Sequence, residues 1–304
     1  MNLITFMKTF GTDEDCRAHM QSVRWPHGPV CPKCGTINDA AHVGGRPGVF
    51  RCNTCKSQFT VTVGTAMDGT HLPLNIWYLA MYLMMSTAKP ISAMSLSRQM
   101  QIQYRTCWHL LHRLRAMLER GDKLPLAGII EADETYVGGK ATNRQKHRPE
   151  PTRGRGTDKP MVFAAVERGG ETRTAVVKSA SAMALDPLMY RWFDRDSILC
   201  TDELATYKWF GGKMRRHHSV THSAREYART EGTLRVHTNT VEGFFGLFKI
   251  GILGIHHWVS AKHLHRYATE HEFRYNSREH DAPDRIARCL IGQHGRLRLR
   301  ELFA

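Results

Sequence analysis

Two groups of residues have types and spacings that can do chemistry. Asp133, Asp202 and Glu242 stand in a D-x68-D-x39-E arrangement. The first two each follow an apolar run, LAGIIEA before Asp133 and SILCT before Asp202. An acid on a buried strand is costly unless it is paired or binds a metal. Carboxylates converging on one side of a phosphodiester can hold two divalent ions, Mg or Mn. One ion activates the attacking oxygen and the other stabilises the leaving 3′ oxygen. Each acid also has a plainer reading: Asp202 as a helix N-cap in TDELATY, and Glu242 as a surface helix acid.

The second group is Cys31, Cys34, Cys52 and Cys55, spaced C-x2-C-x17-C-x2-C. Zn(II) takes four thiolates at tetrahedral corners, and each C-x2-C knuckle offers two from one tight turn. With all four positions filled by protein, the zinc is structural. Phe50, Phe59, Val61 and Val63 supply β-type residues around the second knuckle, which is the layout of a zinc ribbon.

The elements that must position these groups follow from the hydrophobic pattern. Met161 to Val166 and Thr172 to Val177 read as strands, with Gly169-Gly170 in the turn between them. Residues 182–193 read as a helix and Ser197 to Thr201 as a short strand ending at Asp202. A helix from about Thr240 carries Glu242. Three antiparallel strands, a helix and a strand ending in an acid is the RNase H-like order. The fold expected is therefore α/β, a mixed sheet flanked by helices, preceded by a zinc ribbon and a helix-turn-helix segment.

That segment has helices from Leu74 to about Thr87, from near Ser92, and from about Arg105 to Arg120. The short Ile102-Gln103-Tyr104 link makes the last two a helix-turn-helix candidate. Arg105, Thr106, His109 and Arg113 fall on the face expected to read DNA, with a plain helical hairpin as the alternative. Domain boundaries are expected at 1–68 for the ribbon, 69–124 for the helical segment and 125–280 for the catalytic domain. Residues 281–304 read as a basic tail with Arg296, Arg298 and Arg300 close together.

Charge points to the partner. The 304 residues carry 43 Lys and Arg against 28 Asp and Glu, a net +15. That excess favours a polyanion, and no basic amphipathic membrane anchor stands out. The stretch from Lys140 to Lys159 holds seven Lys or Arg against two acids and is rich in Pro and Gly. It reads as a flexible basic loop whose Lys140, Arg144, Lys146, Arg148, Arg153 and Arg155 can reach phosphates. No apolar run approaches the roughly 20 residues of a membrane span. The N-terminal stretch lacks the basic start of a signal peptide. The remaining cysteines, Cys16, Cys107, Cys200 and Cys289, read as small buried hydrophobes in a reducing compartment.

Four segments together carry a resemblance. RWPHGPVCPKCG, EADETYVGGK, TDELATY and the block from HTNTVEGFF to RYNSRE are similar to the zinc-ribbon DDE transposases of bacterial insertion sequences, the ISXO-like group. The match runs from about Phe10 to Arg278. It implies an RNase H-like domain acting on transposon-end DNA, with Asp133 and Asp202 as the first two metal ligands. Members of the group differ in whether Asn or Glu is named third, and this chain has both Asn239 and Glu242. Glu242 brings a charge and two oxygens to a hard cation, so it is taken as the ligand and Asn239 as its support. Lys249 matches the basic residue downstream of the acid, and His237 matches the block as a DNA contact or an orienter of the acid.

The resulting expectation is a cytoplasmic, bacterial transposase, nucleoid-associated when bound. It would bind double-stranded DNA as a homo-oligomer, cleave the inverted ends of its element and join the 3′-OH ends to target DNA. The rivals are a DNA-binding regulator that has lost catalysis, and an RNase H-like nuclease that cuts without joining.

Overall fold

The computed structural model describes the chain apart from residues 88, 120, 122, 139–158, 293–294 and 304. Lys140, Arg144, Lys146, Arg148, Arg153 and Arg155 thus lie outside the described residues. The chain divides into two compact units, Met1–Gly121 with Arg278–Ala304, and Asp122–Ser277.

The first unit opens with α1 (Leu3–Thr9) and α2 (Asp13–Arg24), each begun by a side-chain cap. Asn2 accepts the Thr5 N–H at 2.8 Å and Thr12 accepts the Asp15 N–H at 3.2 Å. A three-stranded antiparallel ribbon follows, β1 (Ala40–His42), β2 (Val49–Cys52) and β3 (Gln58–Thr60), in that order. Trp25 packs edge-on against Phe50 and Phe59, the rings of the expected β-type residues. Then come α3 (Leu74–Met85), α4 (Ala93–Met100) and α5 (Tyr104–Met117). α3 is apolar on nearly every side and buries Trp77, Tyr78, Met81 and Met84. Ser92 caps α4, and Gln101, at φ 54°, turns the chain towards α5. Two helices joined by a short turn thus stand where the sequence predicts them.

The second unit is built on a five-stranded sheet. Its strands are β4 (Ile129–Tyr136), β5 (Met161–Glu167), β6 (Thr172–Val177), β7 (Ile198–Thr201) and β8 (Arg216–Ser219). Their spatial order is β6-β5-β4-β7-β8. β4, β5 and β6 run antiparallel, whereas β7 lies parallel to β4 and β8 parallel to β7. Helices α6 (Ala182–Trp192) and α7 (Ala205–Gly211) cover one face. A hairpin, β9 (Ala228–Glu231) with β10 (Leu234–His237), leads to α8 (Asn239–Lys249) and α9 (Leu264–Asn276) on the other. Alternation along the strands divides the core. Ile130, Ala132 and Phe163 pack with Leu185, Tyr207 and Phe210, while Val162, Ala164 and Val166 pack with Val241, Phe244 and Phe248. This is the RNase H-like architecture expected from the order of elements.

The C-terminal residues differ from the expected tail. α10 (Ala282–Leu290) is capped by Asp281, which accepts the Asp284 N–H at 3.2 Å. It buries Ile286, Cys289 and Leu290 in the first unit against α2, α3 and α5. Gly292 then passes so close to the end of α5 that a Cβ would meet the Met117 carbonyl at 1.8 Å. The positive charge of this segment hides an ordinary amphipathic helix at its start. No described helix is long and apolar enough to cross a membrane. Cys16, Cys107, Cys200 and Cys289 are all buried and unbridged.

Candidate active site and nucleic-acid interface

The acids are brought together by strand register and one helix. Glu131 of β4 pairs with Cys200 of β7, so Asp133 and Asp202 each lie two residues further along parallel neighbours. Neighbouring strands are about 4.8 Å apart, which brings Asp202, just past the end of β7, beside Asp133 in the middle of β4. The Asp202 Oδ1 accepts the Leu204 N–H at 3.0 Å, a local turn that fixes its carboxylate. The N-cap of α7 is Leu204, so Asp202 is not that cap. α8 supplies Glu242 from its first turn, exposed, with Oε1 accepting from the Thr238 hydroxyl at 2.7 Å. The His222 Nε2 lies 3.6 Å from the same oxygen. Asn239 begins α8, but Thr238 is the N-cap and Asn239 is exposed. Lys249 ends the helix, also exposed.

The carboxylates feel one another. Burial pushes Asp133 up to about 8, with the charges of Glu134, Asp202 and Glu242 adding to the rise. Clustered negative charge with hard oxygen donors suits a divalent cation such as Mg or Mn. Among the described residues, only the four cysteine sulfurs form a group whose ligand atoms all lie within 4.8 Å of one another.

Glu131 is the residue whose role the sequence did not disclose. It faces α8 together with Asp133, two positions on, and is fully buried. Its carboxylate accepts the Thr240 N–H at 2.7 Å, the Val241 N–H at 3.1 Å and the Thr240 hydroxyl at 2.8 Å. A strand carboxylate thereby satisfies the orphan donors at the start of α8 and complements its dipole. Arg168 completes the hub. Its Nε reaches Glu131 at 2.5 Å, and its Nη atoms donate to the Arg235 and His237 carbonyls at 2.6 and 3.0 Å. The His237 Nδ1 stands 3.2 Å from Glu131, which places this half-buried ring beside the hub. The available signal was an acid at i−2 from Asp133 in an apolar strand, on the same face and in need of partners. Glu134 points the other way and accepts from the buried Tyr207 hydroxyl at 2.6 Å.

In the ribbon, the Cys31 and Cys55 sulfurs are 3.5 Å apart and those of Cys34 and Cys52 are 3.6 Å apart. A tetrahedron with Zn–S of about 2.3 Å has edges of roughly 3.8 Å, so the donor set fits zinc. Hydrogen bonds from Ser57 push the Cys55 thiol down to about 6, and those from Thr36 lower Cys34. Those two favour the thiolate form that binds metal, whereas burial and the neighbouring Cys34 and Cys55 side chains raise the Cys31 thiol to about 11.

The expected DNA face of α5 is only partly open. Arg105 is exposed and Thr106 half-buried. Arg113 is 7% exposed and donates to the Ala66 and Asp68 carbonyls at 2.5 and 2.9 Å, with its guanidinium over Trp77. His109 Nε2 lies 3.1 Å from the Leu297 carbonyl. Arg113 and His109 therefore tie segments of the first unit together, where helical spacing alone turned them outward.

Comparison with known proteins agrees with this layout. Residues 125–276, half of the chain, match the ISXO2-like transposase domain, and residues 11–58 match the transposase zinc-ribbon domain. A relative from Halobacterium salinarum, described as an uncharacterized protein in transposable element ISH50, is 27% identical over 282 residues. The alignment covers 88% of this chain and 92% of the relative. With its ribbon, its RNase H-like sheet and a domain match spanning half its length, the chain belongs to the ISXO2-like transposase family.

Proposed function

We propose that this transposase binds the inverted ends of an insertion sequence, cleaves the DNA there and joins the freed 3′-OH ends to target DNA. The observation that supports the reading is that Asp133 on the central strand, Asp202 at the end of its parallel neighbour and Glu242 on α8 lie near enough to act on one another's charge. Asp133, Asp202 and Glu242 would hold Mg or Mn, which would activate the attacking oxygen and neutralise charge on the phosphate. Glu131 and Arg168 hold α8 so that Glu242 stays opposite the strand acids. Asn239, three residues before Glu242, supports the same face of the helix, and Lys249 positions a phosphate. Both steps are in-line attacks on phosphorus, by water and then by a 3′-OH, so one site serves both. Zinc held by Cys31, Cys34, Cys52 and Cys55 stabilises the ribbon. The working form is a homo-oligomer on double-stranded DNA, acting in the cytoplasm on the nucleoid.

The test supplies two substrates, an uncut element end and a pre-cleaved end bearing a 3′-OH, in Mg(II) and in Mn(II). Glu242→Gln is expected to lose cleavage and keep DNA binding, and Asn239→Ala to keep part of its activity. A Glu242→Gln protein that cleaves normally beside a dead Asn239→Ala protein would make the site an Asp-Asp-Asn one. Cleavage with no joined product from the pre-cleaved end would mean a nuclease, and binding with no cleavage a regulator.

A further inference from the structure

The segment after α10 lies along α5. From Gly295 its side chains alternate, with Leu297 and Leu299 half-buried and Arg296, Arg298 and Arg300 exposed. A 3-10 turn over Leu299–Leu302 buries Leu302 completely. Glu301 steadies that turn by accepting the Arg298 N–H at 2.9 Å. Phe303 stacks on Trp108 of α5 at 5.8 Å between ring centroids, and the Arg105 guanidinium lies 5.8 Å over the same ring. The segment is thus anchored by apolar contacts and by the Leu297 carbonyl at His109, with its arginines left on the outside.

Those arginines edge a cavity of about 800 Å³ between the segment and α5, together with Arg113, His109 and His71. Arg296 is parked over Gly69, where a Cβ would come within 2.5 Å of its guanidinium carbon. It is near enough to Arg113 for the two positive charges to repel. Asp68 and Glu301 are acids near this rim. Arg296, Arg298 and Arg300 have no ion-pair partner among the described residues. A row of exposed guanidinium groups on an anchored segment, with no ion-pair partner among the described residues, suits an external anion that accepts bidentate hydrogen bonds, which is a phosphate.

We propose that residues 295–303 form a DNA-binding arm, in which Arg296, Arg298 and Arg300, beside Arg105, contact backbone phosphates of duplex DNA. The inference rests on the reading of the chain as a DNA-acting transposase. It assigns phosphate contact to the arm laid on α5, since His109 and Arg113 are engaged in holding the unit together. Contacts of this kind position the protein and carry no sequence information, so they should act on any duplex.

The experiment measures affinity of the full chain for a mixed-sequence duplex by fluorescence anisotropy across a salt series. The triple variant Arg296→Gln, Arg298→Gln, Arg300→Gln keeps every apolar anchor. Its slope of log affinity against log salt is expected to be shallower by about 2 to 3, at roughly 0.9 per lost phosphate contact, with at least about a tenfold loss of affinity at 0.15 M salt. The corresponding triple Lys variant should retain the slope, because lysine also displaces counterions. Wild-type melting temperature in both variants separates lost contact from lost folding. An unchanged slope in the Gln variant overturns the inference. So does a gain in affinity, which would make the segment a shield over α5. A wild-type chain that does not bind the duplex overturns the transposase reading and the inference with it.

Discussion

The Glu131 carboxylate reaches across 109 residues of sequence to accept the backbone N–H of Thr240 at 2.7 Å. One buried side chain thus sets where α8 begins relative to β4, and with it the placement of Glu242 against Asp133. Replacing Glu131 by Gln presents an amide N–H₂ to a cluster of donors and leaves Arg168 without its counter-charge. The variant is expected to lose about 3 kcal/mol of unfolding free energy. Urea unfolding measures it, and a loss below about 0.5 kcal/mol, the scale of an ordinary surface change, would mean the hub is not holding the helix.

Arg113 should behave as a structural residue. Arg113→Ala removes hydrogen bonds to the buried Ala66 carbonyl and the partly buried Asp68 carbonyl, and a cation contact with Trp77. A cost of about 2 to 3 kcal/mol is expected. The salt slope of DNA binding should stay at the wild-type value. A stable variant with a shallower slope would return Arg113 to the DNA face.

One zinc per chain is expected in protein purified without chelator, by metal analysis. Cys52→Ser should abolish it, because Cys52 is fully buried within the cluster. A folded wild-type preparation with far less than one equivalent would mean the four thiols are not a zinc site.

The basic loop gives a separate prediction. Replacing Lys146, Arg148, Arg153 and Arg155 by Gln should make the salt slope of binding shallower by up to about 3.6, at roughly 0.9 per phosphate. An unchanged slope would place the loop away from the DNA.

Local pattern made much of the second unit legible. Apolar runs marked β4, β5, β6 and β7, and their order implied the antiparallel set followed by a parallel strand. The zinc cluster was legible because both knuckles are short and self-contained. What escaped was set by distant partners. Nothing near Glu131 in sequence indicates the N–H groups of Thr240 and Val241. Helical spacing turned Arg113 outward, but carbonyls at residues 66 and 68 hold it inside. The row of charges near the C-terminus masked α10, whose apolar positions Ile286, Cys289 and Leu290 are few.

Tyr136 pairs with Met161 across the sheet, although 24 residues, 137–160, separate them in the chain. Asp133 is therefore held by seven ladder pairs from Ile130–Glu167 to Tyr136–Met161, and the length of the connection does not enter that alignment. Doubling such a connection adds only about 0.6 kcal/mol of closure entropy. A change in the length of that connection is therefore expected to leave Asp133 aligned with its neighbours on the sheet.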